Sequence, residues 1–175
     1  MPGKFRPGGR REGALTWTRE AVLTTQRWFT MTTDTKKMVE RIPLEVFNKD
    51  NFGLIDELVS PDFVDHFVQP GVPATRAGFK QSAMALKKAF PDLRYVVEDF
   101  LETGDRFVHR VTATGTMKAD FMGIAPTGKN ARWTEIHIGR IANGRLTEHW
   151  AVIDQLGMLV QLGIVPAPGR VAVAA

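Results

Sequence analysis

The chain has no cysteine, and none of its apolar runs approaches the length of a membrane-spanning helix. Without cysteine, disulfide bonds, thiolate catalysis and cysteine-ligated metals are excluded. A transmembrane helix needs about 20 consecutive apolar residues, so we expect no association with a membrane. The four histidines show neither the H-E-x-x-H spacing nor another metal-ligand spacing, so we expect no bound metal.

The net positive charge of the chain comes from its first 30 residues. The whole chain carries a net charge of +4 at pH 7. Residues 1–30 contain six basic and two acidic residues, and the remaining residues contain 17 of each kind. The high isoelectric point therefore does not describe the folded part, and nucleic-acid binding has no support there.

The composition changes near Met31. Residues 1–30 are rich in Gly, Arg and Thr, with no sustained helical or alternating period. We consider a disordered basic tail, a targeting extension, and upstream sequence preceding a true start at Met31, and favour the third. These residues lack the apolar segment of a secretory signal, so we expect a cytoplasmic protein. We predict one domain over residues 31–165 and a tail over residues 166–175.

The first half of the domain is predicted to be helical. Asp34 can cap a helix that extends to about residue 47, in which Pro43 implies a bend. A short helix is predicted over residues 52–59, followed by a short strand or an extended turn over residues 63–67. A longer helix is predicted over residues 75–90, where Pro91 ends it.

The second half is predicted to form strands. Gly104-Asp105 and Asn143-Gly144 are hairpin turns in a four-stranded antiparallel meander. Its predicted strands cover residues 94–102, 106–117, 132–142 and 145–154. Helices followed by strands predict an α+β fold with helices on one face of a curved sheet. Several strands are apolar on both faces, so a partner subunit is expected on the second face, in a homodimer or higher homo-oligomer.

Asp154 is the foremost candidate for chemistry. It ends a predicted strand, shares its side with Trp150 and Val152, and precedes a segment rich in Leu and Met. A carboxyl group on an apolar wall is suited to general acid–base catalysis. The alternative is that Asp154 is only the N-cap of the following turn, because Asp is a favoured cap residue. Residue pattern alone favours the cap.

Several polar residues are secondary candidates. His66 can hydrogen-bond a ligand or nearby backbone. Arg110 and Arg140 can stabilise an oxyanion or pair with an acid. His137 and His149 fall on the side opposite Asp154, so we predict that they are surface or interface residues. The sequence has no nucleophile elbow, phosphate-binding loop or deaminase motif, which favours proton transfer in an apolar pocket.

Residues 38–165 resemble the SnoaL-like polyketide cyclases and ester cyclases. These belong to the nuclear transport factor 2-like superfamily, which includes ketosteroid isomerase-like proteins. The resemblance rests on Arg110 and on residues 63–66, 115–116, 121–129, 143–150, 154–157 and 161–163.

The resemblance implies a cone-shaped, barrel-like curved antiparallel sheet with the N-terminal helices on its concave face. It also implies intramolecular aldol condensation on a small hydrophobic polyketide-like ester, without a cofactor, with Asp154 as the catalytic acid/base. The substrate-binding residues predicted on this basis are His66, Arg110, Arg140, Trp150, Met117 and Phe121.

Two residues depart from the family pattern. Arg140 and Met117 each stand where a histidine is usual, and an always-charged Arg cannot share a proton as His does. Two alternatives therefore stay open. One is epoxide hydrolysis by Asp154, Arg110 and a second acid such as Asp99 or Asp120. The other is a dimeric small-molecule-binding module without catalysis.

Overall fold

The computed structural model describes residues 34–167 and residue 169. The predictions for residues 1–30, and those for most of the tail, lie outside the described residues. Helix α1 covers residues 34–41 and continues as a π-helical segment, Ile42–Phe47. The other helices are α2 (Leu54–Leu58), α3 (Arg76–Ala89) and α4 (Gln155–Gln161). The strands are β1 (Val59–Asp65), β2 (Arg94–Thr103), β3 (Arg106–Thr116), β4 (Asn130–Ala142) and β5 (Arg145–Ile153).

The α+β prediction is confirmed. Strands β2 to β5 form the predicted antiparallel meander, and the sheet order is β1-β5-β4-β3-β2. The fifth strand, β1, runs parallel to β5, with Asp65 opposite His149. It includes residues 63–65 of the segment predicted as a short strand or an extended turn. Its partner is distant in sequence, so no hairpin turn marks the pairing.

Pro43 is accommodated by a wider helical turn. The backbone N–H of Asn48 donates to the carbonyl oxygen of Pro43 over 3.2 Å. The two residues are five positions apart, which is the hydrogen-bond separation of a π-helix. Proline has no N–H to donate, so the helix changes its hydrogen-bonding pattern there instead of ending. Ile42, Pro43 and Val46 are buried, so this segment covers the sheet.

The side chain of Asn48 fastens this segment to β2. Its Oδ1 accepts a hydrogen bond from the backbone N–H of Tyr95 over 2.7 Å, and its Nδ2 donates to the carbonyl oxygen of Tyr95 over 2.9 Å. We predict that Asn48→Ala lowers the free energy of unfolding by about 1–3 kcal/mol, because both bonds are lost. Urea unfolding measures this. Asn48→Asp keeps only the acceptor, so its loss should be intermediate; equal stability of all three proteins would contradict the assignment.

Helix α3 begins and ends where the sequence predicts. Thr75 is its N-cap, and its hydroxyl accepts a hydrogen bond from the backbone N–H of Gly78 over 3.3 Å. The helix ends before the C-cap residue Phe90, because Pro91 disfavours helical backbone in the residue that precedes it. The helix packs against β1 and places part of its apolar side over the concave face of the sheet.

Two apolar clusters hold the helices on the sheet. One surrounds Phe90, which is 0% exposed, and includes Leu93, Met117, Trp133 and Leu162. The other joins α1 and α2 to the sheet and includes Val46, Ile55, Val59 and Leu146. A cavity lies between the sheet and the helices beside these clusters.

Candidate functional site

A β-bulge determines which side chains of β5 face this cavity. Leu146 pairs with Ile141 and Glu148 pairs with Arg140, so Thr147 is the extra residue. The Thr147 hydroxyl donates to the Arg140 carbonyl oxygen over 3.1 Å. A one-residue shift exchanges the two faces of a strand. Consequently His149, rather than Trp150, lies on the same side as His137.

The cavity has a wide outer chamber and a narrow inner chamber. The outer chamber has a volume of about 270 Å³, and the inner chamber about 70 Å³. Much of the outer wall is aromatic or apolar, as expected of a small-molecule site. Six residues border both chambers: Phe47, Phe79, Tyr95, Glu135, His137 and His149. Four of these six side chains are polar, so a cluster of polar groups lies where the chambers meet.

Four of the cavity's polar side chains form one continuous hydrogen-bonded chain. Asp65 Oδ1 lies 2.9 Å from His149 Nδ1. His149 Nε2 lies 3.0 Å from His137 Nδ1, and His137 Nε2 lies 2.9 Å from Glu135 Oε2. Asp65 borders the outer chamber, and the other three border both chambers. We call these residues the relay.

Glu135 is the most enclosed member of the relay. Its side chain is 3% exposed. Oε1 accepts hydrogen bonds from Trp133 Nε1 over 2.6 Å and from the Tyr95 hydroxyl over 3.2 Å. Burial, followed by the charge of Glu135, raises the pKa of Tyr95 well above its ordinary value. Tyr95 therefore keeps its proton, and Glu135 has two neutral donors in addition to His137.

The relay restricts where its protons lie. A carboxylate at Asp65 only accepts, so His149 carries its proton on Nδ1 and uses Nε2 as an acceptor. The neighbouring His137 Nδ1 must then donate. One proton remains between His137 Nε2 and Glu135 Oε2, giving either an imidazolium–carboxylate pair or a neutral imidazole–carboxylic acid pair. Such a pair can accept or deliver a proton at the cavity wall.

Burial keeps the other cavity histidines uncharged. Desolvation lowers the pKa of His149, against the opposing hydrogen bond to Asp65. Burial, together with repulsion from His137 and His149, lowers the pKa of His109 to about 3. His109 is 6% exposed, and its ring lies edge-on to His137 at 5.1 Å. It borders the inner chamber outside the relay.

The depressed pKa of His109 predicts a loss of stability in acid. Between about pH 3 and 6.5 the unfolded chain binds a proton at this histidine and the folded chain does not, so stability falls with falling pH. From pH 7 to pH 5 we expect wild type to lose about 2 kcal/mol more than His109→Gln. Urea unfolding at both pH values measures this difference. Equal losses in the two proteins would contradict the neutral, buried state of His109.

Asp154 lies outside the cavity lining. It is exposed, and its Oδ1 accepts a hydrogen bond from the backbone N–H of Gly157 over 2.9 Å. Asp154 is thus the N-cap of α4. Its neighbours Ile153 and Gln155 border the outer chamber. The catalytic role of Asp154 stays a prediction, and its hydrogen bond to Gly157 is that of a helix cap.

His66, Trp150 and Arg140 lie together on the opposite, outer face of the sheet. The rings of His66 and Trp150 stack at 4.4 Å. Glu148 joins His66 Nε2 at 3.1 Å to Arg140 Nε at 2.6 Å. The hydrogen bond from His66 has the largest effect on the pKa of Glu148 and lowers it; desolvation opposes this, and the charge of Arg140 lowers the pKa further. None of these four residues borders either chamber.

The remaining predicted binding residues occupy three different positions. Arg110 pairs with Asp99 on the outer face, with Nη2 2.6 Å from Oδ2. Met117 is 0% exposed and lies in the apolar core. Phe121 borders the outer chamber. Of the six residues predicted to bind substrate, Phe121 alone lines the described cavity.

The prediction that His137 and His149 are surface or interface residues is wrong. His149 is 7% exposed, and both histidines border the cavity. The alternation of Trp133, Glu135 and His137 along β4 was a usable signal, because these polar residues share one side of a strand. The bulge at Thr147 then brings His149 to that side. No local sequence pattern predicts a bulge, so the side of His149 could not be predicted.

The described residues contain no group of three or more His, Asp or Glu side chains placed to hold a metal ion. Within the same part of the chain, no helix has both the length and the hydropathy needed to cross a membrane.

Comparison with known families agrees with this fold. A sequence model of the SnoaL-like polyketide cyclases matches residues 37–162, which is most of the chain. The chain belongs to the SnoaL-like polyketide cyclase family. The resemblance inferred from the sequence motifs is thereby confirmed, and the family's cyclases are small enzymes of this fold.

Solved structures of similar proteins include two from Streptomyces at or above 30% identity. IdmH of Streptomyces antibioticus, a candidate polyketide cyclase, is 33% identical, with a TM-score of 0.65, over 74% of this chain and 98% of its own. AclR of Streptomyces galilaeus, a candidate hydroxylase, is 30% identical, with a TM-score of 0.68, over 79% of this chain and 87% of its own.

A third structure supports the fold alone. TsrD of Streptomyces laurentii is 23% identical, with a TM-score of 0.70, over 76% of this chain and 97% of its own. A search of curated proteins found no match.

Proposed function

We propose that this protein is a cyclase that transfers protons through the relay while closing a ring on a polyketide-like keto ester. The observation that carries the proposal is the pairing of His137 Nε2 with Glu135 Oε2 at 2.9 Å on the wall of a largely apolar cavity. Family membership supplies the reaction class, and the cavity supplies a group able to exchange a proton with a bound molecule.

The proposed reaction is an intramolecular aldol addition. The Glu135–His137 pair takes a proton from the carbon between the ketone and the ester. The electron pair of the broken C–H bond forms a new C–C bond to a second carbonyl carbon of the same molecule. That carbonyl oxygen takes up a proton from the pair, so the product is an isomer of the substrate and the pair returns to its starting state.

Asp65 and His149 act as positioning residues in this scheme. Asp65 Oδ1 also accepts the backbone N–H of Phe67 over 3.0 Å, which fixes the carboxylate. His149 then presents an acceptor to His137 Nδ1, and this stabilises His137 in the imidazolium form that appears when it takes a proton. Asp65 therefore orients His149, and His149 orients His137.

Exchange of the acidic carbon-bound proton tests the first half of the reaction. Wild-type protein in deuterium oxide should exchange the α-proton of an activated β-keto ester faster than buffer does. A substrate that carries a second, suitably placed ketone should yield a cyclic product of unchanged mass before any loss of water. Calorimetry shows which esters bind. If every bound ester exchanges its α-proton only at the buffer rate, the proposal is contradicted.

A second candidate is hydroxylation of the same kind of molecule. The observation favouring it is the 30% identity to AclR, a candidate hydroxylase. Hydroxylation by dioxygen leaves one oxygen atom in the product and reduces the other to water, with two electrons taken from the substrate or from an added reductant. Aldol closure consumes no dioxygen and leaves the mass unchanged. An oxygen electrode and mass spectrometry of the product separate the two reactions.

Two proposals carried from the sequence remain separate from the relay. One is Asp154 as the acid/base, which would act from the rim of the cavity beside Ile153 and Gln155. The other is a homo-oligomer formed through the outer face of the sheet, where Leu101 is 69% and Val152 is 72% exposed. Sedimentation of the protein tests the second proposal. The turnover of Asp154→Asn, compared with that of Glu135→Gln, tests the first.

A further inference from the structure

The inner chamber has one polar side chain, His109, that lies outside the hydrogen bonds of the relay and Tyr95. Neither ring nitrogen of His109 has a hydrogen-bond partner within the described residues, and Nδ1 is buried against protein atoms. A buried imidazole without a partner is costly, so a group that bonds to it from the chamber would be stabilising. His109 borders the inner chamber and does not border the outer one.

The other polar side chains of the inner chamber are occupied by one another. Tyr95 donates to Glu135, and Glu135 also bonds to His137. His137 and His149 bond through Nδ1 and Nε2, and the second nitrogen of His149 bonds to Asp65. His109 is therefore the polar group with free hydrogen-bonding capacity at the inner end of the cavity.

The ring of His109 is held in place by its neighbours. It lies edge-on to the ring of Phe107 at 5.4 Å and edge-on to His137 at 5.1 Å. Gly139 lies opposite Phe107, and a Cβ at Gly139 would collide with that ring. A fixed imidazole at the end of a cavity can select a ligand by the position of one atom.

Space and charge define what His109 can bind. A volume of about 70 Å³ is enough for a small functional group or a few water molecules. Glu135 borders the same chamber, which disfavours an anion whenever it is a carboxylate. The low pKa of His109 keeps the ring neutral, so it offers a neutral hydrogen bond and no ion pair.

We propose that the inner chamber is a subsite for an uncharged oxygen, a hydroxyl or a carbonyl group, that hydrogen-bonds the imidazole of His109 while the rest of the ligand occupies the outer chamber. The subsite deepens the proposed function, because it rests on the same cavity receiving the substrate. It assigns His109 a role in orientation: the oxygen at the inner end fixes which carbon of the ligand lies beside Glu135 and His137.

The test uses two aromatic probes of similar size, 2-naphthol and 2-methylnaphthalene. Wild-type protein should bind 2-naphthol at least about tenfold more tightly, the value of one hydrogen bond. In His109→Phe that preference should disappear, and His109→Gln should restore part of it. Nuclear magnetic resonance of the histidine nitrogens should show a ring-nitrogen signal of His109 moving with 2-naphthol and not with 2-methylnaphthalene.

His66→Phe is the matched control, because His66 lies on the outer face and the preference should remain. An unchanged preference in His109→Phe, or His109 signals unmoved by saturating 2-naphthol, would overturn the subsite. Failure of both probes to bind would also overturn it. If His109→Phe does not fold, the nitrogen signals of wild type decide alone.

Binding and turnover separate this proposal from the proposed function. Selective binding without α-proton exchange would retain the subsite and refute the cyclase. Exchange without selectivity for the oxygen would retain the cyclase and refute the subsite.

Discussion

Replacing His137 by glutamine should lower kcat for ring closure by about 10²- to 10⁴-fold, the usual contribution of a general acid–base group. His137 lies in the middle of the relay, 2.9 Å from Glu135 and 3.0 Å from His149. Glutamine can bond to one neighbour but cannot carry a proton between them. Steady-state kinetics with the keto ester measures the effect, and ligand binding should change much less than kcat.

The outer face provides a matched control for this substitution. His66 also pairs with a glutamate, with Nε2 3.1 Å from Glu148 Oε2, but neither residue borders the cavity. His66→Gln should therefore leave kcat within about twofold of wild type, because surface changes of this kind cost little. A loss of activity in His66→Gln as large as that in His137→Gln would place the chemistry on the wrong side of the sheet.

Replacing Phe90 by alanine should lower the free energy of unfolding by about 3–5 kcal/mol. Phe90 is 0% exposed, and its ring lies 5.3 Å from that of Phe121 and 5.5 Å from that of Trp133. Removing the ring leaves a void that these neighbours cannot fill without moving. Because Trp133 donates to Glu135, the variant should also lose activity at temperatures where it is still folded.

Urea unfolding measures this loss, and Met84→Ala is the control. Met84 lies on the same stretch of chain, in α3, and is 52% exposed. Its replacement should change stability by less than about 0.5 kcal/mol. Similar losses in the two variants would contradict the position of Phe90 at the centre of the core.

Local signals in the sequence predicted most of the fold. Asn143-Gly144 marks the β4–β5 hairpin, and Thr75 and Pro91 mark the ends of α3. Strand β1 was recognised only in part, since its partner β5 lies far along the chain and parallel pairing leaves no turn motif. The π-helical turn at Pro43 could be anticipated as a bend but not as a continued helix.

The candidate site was harder to predict, because it depends on which side of each strand faces the helices. An uninterrupted hairpin would place Trp150 opposite His137, and the extra residue Thr147 places Ala151 there instead. That single residue brings His149 to the cavity and sends Trp150 outward. Asp65 joins them through β1, whose parallel pairing with β5 has no turn motif in the sequence.

The most direct test of the account compares two carboxylates, Glu135 and Asp154, in one kinetic assay. Glu135→Gln keeps an acceptor for Trp133 and Tyr95, so it should fold while kcat falls by about 10²- to 10⁴-fold. Asp154→Asn keeps a good helix cap, so both stability and kcat should stay near wild type. The contradicting result is the reverse: full turnover by Glu135→Gln and lost turnover by Asp154→Asn would move the acid/base from the relay to the rim.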